Sequence, residues 1–306
     1  MSTFAEHLVF RWKQARHGWR TRGVLATPPL RPRDDGVVIF SLIGTRVLLS
    51  YLVAVKSFHR HLGRGRVVVM DDGSLTAADR LVLARHLGDP EILALRDVDT
   101  GPAPRGGTWE RLLTILDARA DDYVIQLDSD TITRAPMPEV TAAIDAGRSF
   151  TLRGEADAAL MPADAFVATL PAIDGRMHIQ KATERLLDRL DLPGLPVPRY
   201  VRGCSGFAGF APGDGGRLLA DAFSQACEAR LGADRWREWG TEQVTSNFVI
   251  ANEADALLLP YDRYLNYWGQ DVPAAAPFVH YLGMCRYRGR AYRDATRAAI
   301  AELRAA

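Results

Sequence analysis

Cysteine is scarce in this chain, and the three that occur, Cys204, Cys227 and Cys285, are widely and irregularly spaced with no Cys-x-x-Cys pair. That pattern offers no even-numbered framework for a disulfide scaffold, and it predicts reduced thiols in a cytosolic protein. No apolar run reaches the roughly 18 residues of a membrane-spanning helix. The first residues also lack the apolar core and small-residue cleavage site of a signal peptide. Lysine is nearly missing: Lys13, Lys56 and Lys181 stand alone among 38 basic residues. Coding bias explains that imbalance as well as phosphate binding does, so it carries no functional reading. Neither sign of charge dominates, with 38 basic and 37 acidic residues and a formal charge of +1. A nucleic-acid binder usually carries a global basic footprint, so nucleic acid is not an expected partner. No Gly-x-Gly-x-x-Gly follows the first apolar strand, which argues against a dinucleotide dehydrogenase.

What remains is an ordinary globular composition, 47% hydrophobic and 25% charged over 306 residues, enough for a substantial core. Residues 1–35 stand apart. Arg11, Lys13, Arg16, Arg20, Arg22, Arg31 and Arg33 are interleaved with Phe10, Trp12 and Trp19 before a break at Pro28, Pro29 and Pro32. Two readings fit: a basic amphipathic helix in peripheral contact with the inner face of a membrane, or a lead-in helix packed on the domain. The second is preferred, because basic helices usually present only a solvated face.

From residue 36 strands and helices alternate. Val37 to Phe40 reads as a buried strand and Thr45 to His61 as a helix with Leu48, Leu49, Leu52, Val55 and Phe58 on one side. Arg66 to Met70 is a second apolar strand, and Thr76 caps a helix running to Leu87. Glu91 to Leu95 gives a third strand, Trp109 to Arg119 a helix, and Tyr123 to Leu127 a fourth strand. The order implies an α/β fold with a mostly parallel central sheet flanked by helices. Its expected division is a basic helical extension at 1–35, one α/β domain at 36–290 and a helical tail at 291–306. Between 140 and 200 prolines interrupt the pattern, and a helical insertion is expected around Met177 to Leu190.

In open sheets of this kind ligands collect at the carboxyl ends of strands. Two acidic clusters fall there, Asp71-Asp72-Gly73-Ser74 and Asp128-Ser129-Asp130. A single residue between Asp128 and Asp130 lets both carboxylates leave the strand end together and reach one hard cation, Mn²⁺ or Mg²⁺, which keeps positions open for phosphate oxygens. The plainer reading of each cluster is a turn built from good turn formers.

The cluster has company in a fixed order. Thr108-Trp109-Glu110-Arg111-Leu112 precedes it. The Gly-rich run Gly203 to Gly209, Glu242-Gln243 with Asn247, Leu259-Pro260 with Asn266, and His280-Tyr281-Leu282-Gly283 follow it. That order resembles glycosyltransferase family 8, retaining enzymes of the GT-A (Rossmann-like) fold, over roughly residues 36–290. The resemblance implies a nucleotide-sugar donor, favouring UDP, and a glycan, lipid or protein acceptor. It implies a divalent cation held by Asp128, Asp130 and His280. Arg111, Ser129, Gly283 and Arg286 are its implied donor contacts, with Glu242 and Gln243 near the reacting sugar. The chain departs from the family pattern at Cys204, where an Asn is usual, at Arg286 in place of a Lys, and at Tyr287-Arg288 in place of Pro-Trp. Asp71-Asp72-Gly73-Ser74 resembles the Asp-Asp-Gly-Ser of inverting family 2 transferases, which implies a nucleotide pocket at Asp71 and Asp72, with Ser41 a further candidate for it.

Three other accounts are weighed. If the reaction inverts the sugar, Glu242 becomes the natural general base. A transferase-like module that binds a nucleotide sugar or a partner without turnover would explain the altered residues at Cys204 and Arg286. An Asp-x-Asp-Thr after a strand also opens haloacid-dehalogenase-like phosphatases. Those need a downstream lysine and a later acidic pair, whereas only Lys181 follows and no Asp-Asp pair comes after it.

Overall fold

The structure is a computed structural model in which residues 4–172 and 175–305 are described. In chain order the strands are β1 (Val37–Ile43), β2 (Arg66–Asp71), β3 (Glu91–Ala94), β4 (Tyr123–Leu127), β5 (Thr131–Thr133) and β6 (Phe150–Arg153). They continue with β7 (Met161–Pro162), β8 (Arg199–Tyr200), β9 (Gly203–Phe210), β10 (Leu257–Leu258), β11 (Tyr264–Tyr267) and β12 (Phe278–Tyr281). Seven strands make a mainly parallel sheet flanked by helices, the class that the alternation implies. The chain divides into two compact units.

The first unit comprises the chain up to Arg96, Ile125–Thr141 and the chain from Tyr261 onward. Its β1 runs parallel to β2, and β2 to β3. Val37 to Phe40 and Val67 to Met70 are all buried, as strands covered on both faces require. Helix Leu48–Leu62 ends at Gly63, whose left-handed φ of 70° lets its N–H reach the His59 carbonyl at 2.7 Å. Thr76 caps helix Ala77–Leu87 through a reciprocal box with Asp79. A second, three-stranded sheet places β12 between β11 and β5, parallel to the first and antiparallel to the second.

Both terminal helices are built into this unit. Helix Phe4–Thr21 turns Phe10 and His17 inward, where His17 stacks on Tyr292 with ring centres 4.3 Å apart and Phe10 meets Tyr287 at 5.3 Å. Helix Ala291–Arg304 lies against Leu48–Leu62, where Arg60 and Glu302 pair at 2.7 Å.

The second unit, Asp97–Val124 and Ala142–Pro260, holds β6 antiparallel to β9 and parallel to β10. Phe223 stacks on Phe248 at 4.2 Å, with Trp236 edge-on to Phe223 and to Trp109, and this ring cluster joins helices Trp109–Ala118, Gly216–Leu231 and Thr241–Ala251. The Gly-rich run is strand β9, and two of its glycines, Gly203 and Gly209, allow close packing. A Cβ on Gly209 would lie 2.3 Å from the Phe150 ring, and one on Gly203 2.6 Å from Asn247 Oδ1. The insertion expected around 177–190 is shorter than its apolar spacing suggests, a helix over Ile179–Glu184 and a single 3₁₀ turn at Leu187–Arg189.

Candidate functional site

The first unit gathers one cluster from three strands. β4 delivers Asp128, the following turn delivers Asp130, and the chain then re-enters a strand at Thr131, where β5 pairs with β12. In that register His280 stands opposite Thr131, and the Tyr281 N–H donates to the Asp130 carbonyl at 2.9 Å. The imidazole therefore arrives beside the acidic pair by strand pairing. Its Nε2 lies 3.4 Å from Asp130 Oδ1 and 3.8 Å from Asp128 Oδ2, and one ligand atom from each of the three residues lies within 4.8 Å of the others. Two ligands of a cation with bonds near 2.1 Å sit at most about 4.2 Å apart. Both histidine separations meet that limit, so with small side-chain adjustments the three residues could hold one divalent cation.

Two neighbours orient this set. Asn266 on β11 faces His280 in the parallel register, and its Oδ1 accepts from His280 Nδ1 at 3.0 Å. With Nδ1 engaged by Asn266, Nε2 is left facing the acids, the outer-sphere arrangement that fixes a ligating imidazole. Arg286 takes the other oxygen of Asp130, Nη2 to Oδ2 at 2.5 Å, and leaves Oδ1 turned to His280. Asp130 is 5% exposed. Burial alone would raise its pKa, but the charges of Arg286 and then His280 outweigh it and hold the carboxyl down to about 2.

The remaining expected donor contacts of this unit have varied surroundings. Ser129 is half-buried and Gly283 exposed, the latter with a left-handed φ of 34° and a carbonyl accepting from Arg286 Nε at 3.0 Å. Ser41 is wholly buried, and its hydroxyl donates to the Leu127 carbonyl at 2.7 Å, tying β1 to the residue before Asp128. Asp71 is buried too. Its Oδ1 accepts from the Gly73 and Leu75 N–H groups at 2.8 and 3.2 Å, and Arg80 takes its Oδ2. Asp72 is exposed, accepts from the Ser74 N–H at 2.9 Å, and crowds Gly44, where a Cβ would lie 2.2 Å from its Oδ2. The turn-forming reading of 71–74 accounts for these contacts.

The second unit has its own polar cluster. Glu242, 2% exposed, accepts from Thr108 Oγ1 at 2.9 Å, pairs with Arg111 Nη2 at 3.3 Å and receives Ser205 Oγ at 3.4 Å. Gln243 Oε1 lies 3.5 Å from the same Ser205 hydroxyl. Trp109 Nε1 donates to Thr241 Oγ1 at 2.9 Å, which locks the start of helix Thr241–Ala251. Thr108 is held with φ 75°, after Gly106 and Gly107 at 84° and 58°. For a β-branched residue that conformation costs on the order of 1 kcal/mol or more, and such strain concentrates at working sites.

Asn266, Thr108 and Ser205 belong to these clusters and were not among the expected site residues. Asn266 carried a signal, its place in the ordered motif series. Thr108 opens the motif that holds Arg111, and Ser205 lies inside the Gly-rich run, but neither had a role assigned to it.

No protein-family model and no curated protein sequence matches the chain. Solved structures do. The bifunctional glycosyltransferase WbbM in its apo form matches with TM-score 0.51 and 14% identity, over 91% of this chain and 53% of that one. The present chain thus spans about half of WbbM's length. Mouse xyloside xylosyltransferase 1 matches with TM-score 0.44 and 12% identity, over 83% and 99% of the two chains. The galactosyltransferase LgtC, in complex with donor and acceptor sugar analogues, matches with 0.48 and 13%, over 86% and 95%. At such identities the likeness to WbbM is one of fold, and the fold is GT-A.

Proposed function

We propose that the protein is a glycosyltransferase that moves a sugar from a nucleotide-sugar diphosphate, UDP-sugar favoured, to a glycan, lipid or protein acceptor with retention of configuration. The observation that carries this reading is the convergence of Asp128, Asp130 and His280 at the end of β4, with their ligand atoms within 4.8 Å of one another. A Mn²⁺ or Mg²⁺ ion bound there would supply charge to offset that developing on a departing nucleoside diphosphate.

The chain's own groups have separable tasks. Asn266 holds the His280 tautomer, Arg286 fixes Asp130 through its outer oxygen, and Arg286 also offers a guanidinium for phosphate oxygens. In the second unit Arg111 and Glu242 neutralise one another. A Glu242 carboxylate that already accepts from Thr108, Arg111 and Ser205 is suited to positioning and poorly suited to take a proton from an acceptor, which favours retention over inversion. Gln243 is assigned to the sugar by family resemblance.

The test is a panel of UDP-, GDP- and CDP-sugars with and without Mn²⁺, scored for donor hydrolysis and transfer, with the product anomer read by proton NMR. A retained anomer from one nucleotide class, formed only with metal, is expected. Metal-dependent donor binding without hydrolysis or transfer across a broad acceptor panel would instead make the chain a binding module.

A further inference from the structure

The described part of helix Phe4–Thr21 has two opposite faces. Phe10, Gln14, His17 and Thr21, at spacings of 4, 3 and 4, face the unit, with His17 and Thr21 buried. On the other side Leu8, Trp12, Ala15 and Trp19 repeat the same spacing, and the three large ones are 53%, 60% and 66% exposed. Solvated helix faces do not usually carry two tryptophans and a leucine in line. The flanks are cationic: Arg11 borders the stripe on one side, and Arg16, Arg20 and Lys13 on the other. No Asp or Glu occurs from His7 to Arg33. Among the described residues no ion pair engages Lys13, Arg16 or Arg20, and Arg16 leans on the Trp12 ring at 5.2 Å.

On the Arg16 side the helix roofs a cavity of about 280 Å³, whose cations are Lys13, Arg16, Arg20, Arg286 and Arg293. The field there is positive enough to act on His17: burial first, then Arg286 and Arg20, lower its pKa to about 4. A partner for this face must be apolar along a narrow line, negatively charged on both sides of it, and able to put an anionic group beneath the helix. An anionic phospholipid surface has all three properties, and aromatic and leucine side chains settle at its headgroup boundary.

We propose that helix Phe4–Thr21 seats the protein on an anionic bilayer, with Leu8, Trp12 and Trp19 at the acyl boundary and a lipid phosphate held in the cavity by Lys13, Arg16, Arg20 and Arg293. This goes beyond sugar transfer and does not depend on it.

The test is flotation of the full chain with vesicles of phosphatidylcholine alone or mixed with phosphatidylglycerol, together with tryptophan emission. Binding to the mixed vesicles only, weakened by salt and accompanied by a blue shift, is expected. Trp12→Ser with Trp19→Ser should weaken it by about tenfold or more, as should Arg16→Glu with Arg20→Glu, without lowering the melting temperature. The Asp130→Asn variant should float like the parent, which separates this proposal from the metal reading. The proposal is overturned by no flotation, by equal flotation on neutral vesicles, by indifference to the tryptophan pair, or by self-association through the helix in the absence of lipid. Glycerol phosphate at millimolar concentration should bind far more weakly than vesicles. Full displacement from vesicles by it would show that the phosphate alone suffices and sink the bilayer assignment.

Discussion

Asp130 answers to two demands at once, an arginine on one oxygen and the proposed cation on the other. Asp130→Asn keeps shape and the Arg286 contact while removing the charge. Metal-dependent turnover should fall by about 100-fold or more, and an undiminished rate would refute the ligand assignment. Asn266→Ala is a subtler test. It leaves all three ligands in place but frees the imidazole, so Mn²⁺ affinity should drop by about 10- to 100-fold with little change in saturated rate. The carboxyl also reports on pH. Its pKa of about 2 lies below the ordinary 3.8, so the charged form is favoured in the folded state. Its contribution is therefore complete above about pH 4 and is lost as pH falls through about 2. In chelator, Asp130→Asn should flatten the acid limb of an unfolding titration in that window. The acidic pair and His280 were readable as candidates because strand-end placement and residue type announce metal chemistry. Ser41 and Asp71 also stand at strand ends, and each serves the fold there, through the Ser41 bond to Leu127 and the Asp71 bonds to its own turn.

Elements were legible wherever local rules decide them. Thr76 shows why: its hydroxyl accepts from the Asp79 N–H at 3.1 Å and the Asp79 carboxylate returns the bond to Thr76 at 2.9 Å, a box visible as Thr-x-x-Asp. Thr76→Ala should cost about 1 kcal/mol. A loss well above that in a denaturant titration would mean the cap also supports Thr45, which reaches the same carboxylate at 2.7 Å. The Gly203–Phe210 strand was not legible, since glycine is a poor strand former. Its cause is tertiary, the approach of Phe150 and Asn247 to a backbone that tolerates no Cβ. The helical insertion was legible in place but not in length, the helix ending at Glu184 and a 3₁₀ turn following at Leu187–Arg189. The N-terminal helix adds a pH dependence of its own. His17 sits among Arg20, Arg286, Tyr287 and Tyr292, with a pKa lowered from 6.5 to about 4. The folded helix holds the neutral ring, so its docking is complete above about pH 6.5 and weakens as pH falls from there toward 4. Emission from Trp12 and Trp19 should shift in that window, and His17→Gln should remove the shift.

At the scale of the molecule, the chain order hides which residues belong together. The first unit is assembled from three separate stretches, and all three candidate metal ligands lie in two of them, Asp128 and Asp130 in Ile125–Thr141 and His280 in the segment after Tyr261. A cation joining them cross-links stretches that an unfolded chain holds far apart, so metal should bind the folded unit and not the unfolded chain. At metal concentrations about 100 times Kd, such binding adds about 2.7 kcal/mol to the unit's stability. For a unit of this size that raises Tm by several degrees. Because the second unit holds none of these ligands, Mn²⁺ should act on the melting of the first. Hydrogen exchange resolves the two: protection should rise in β5, β11 and β12 on adding Mn²⁺ and stay unchanged in β6 and β9. Asp130→Asn should abolish the effect. Protection that rose equally in both units would mean that they unfold as one body, whereas a rise confined to the second would place the ion away from Asp128, Asp130 and His280.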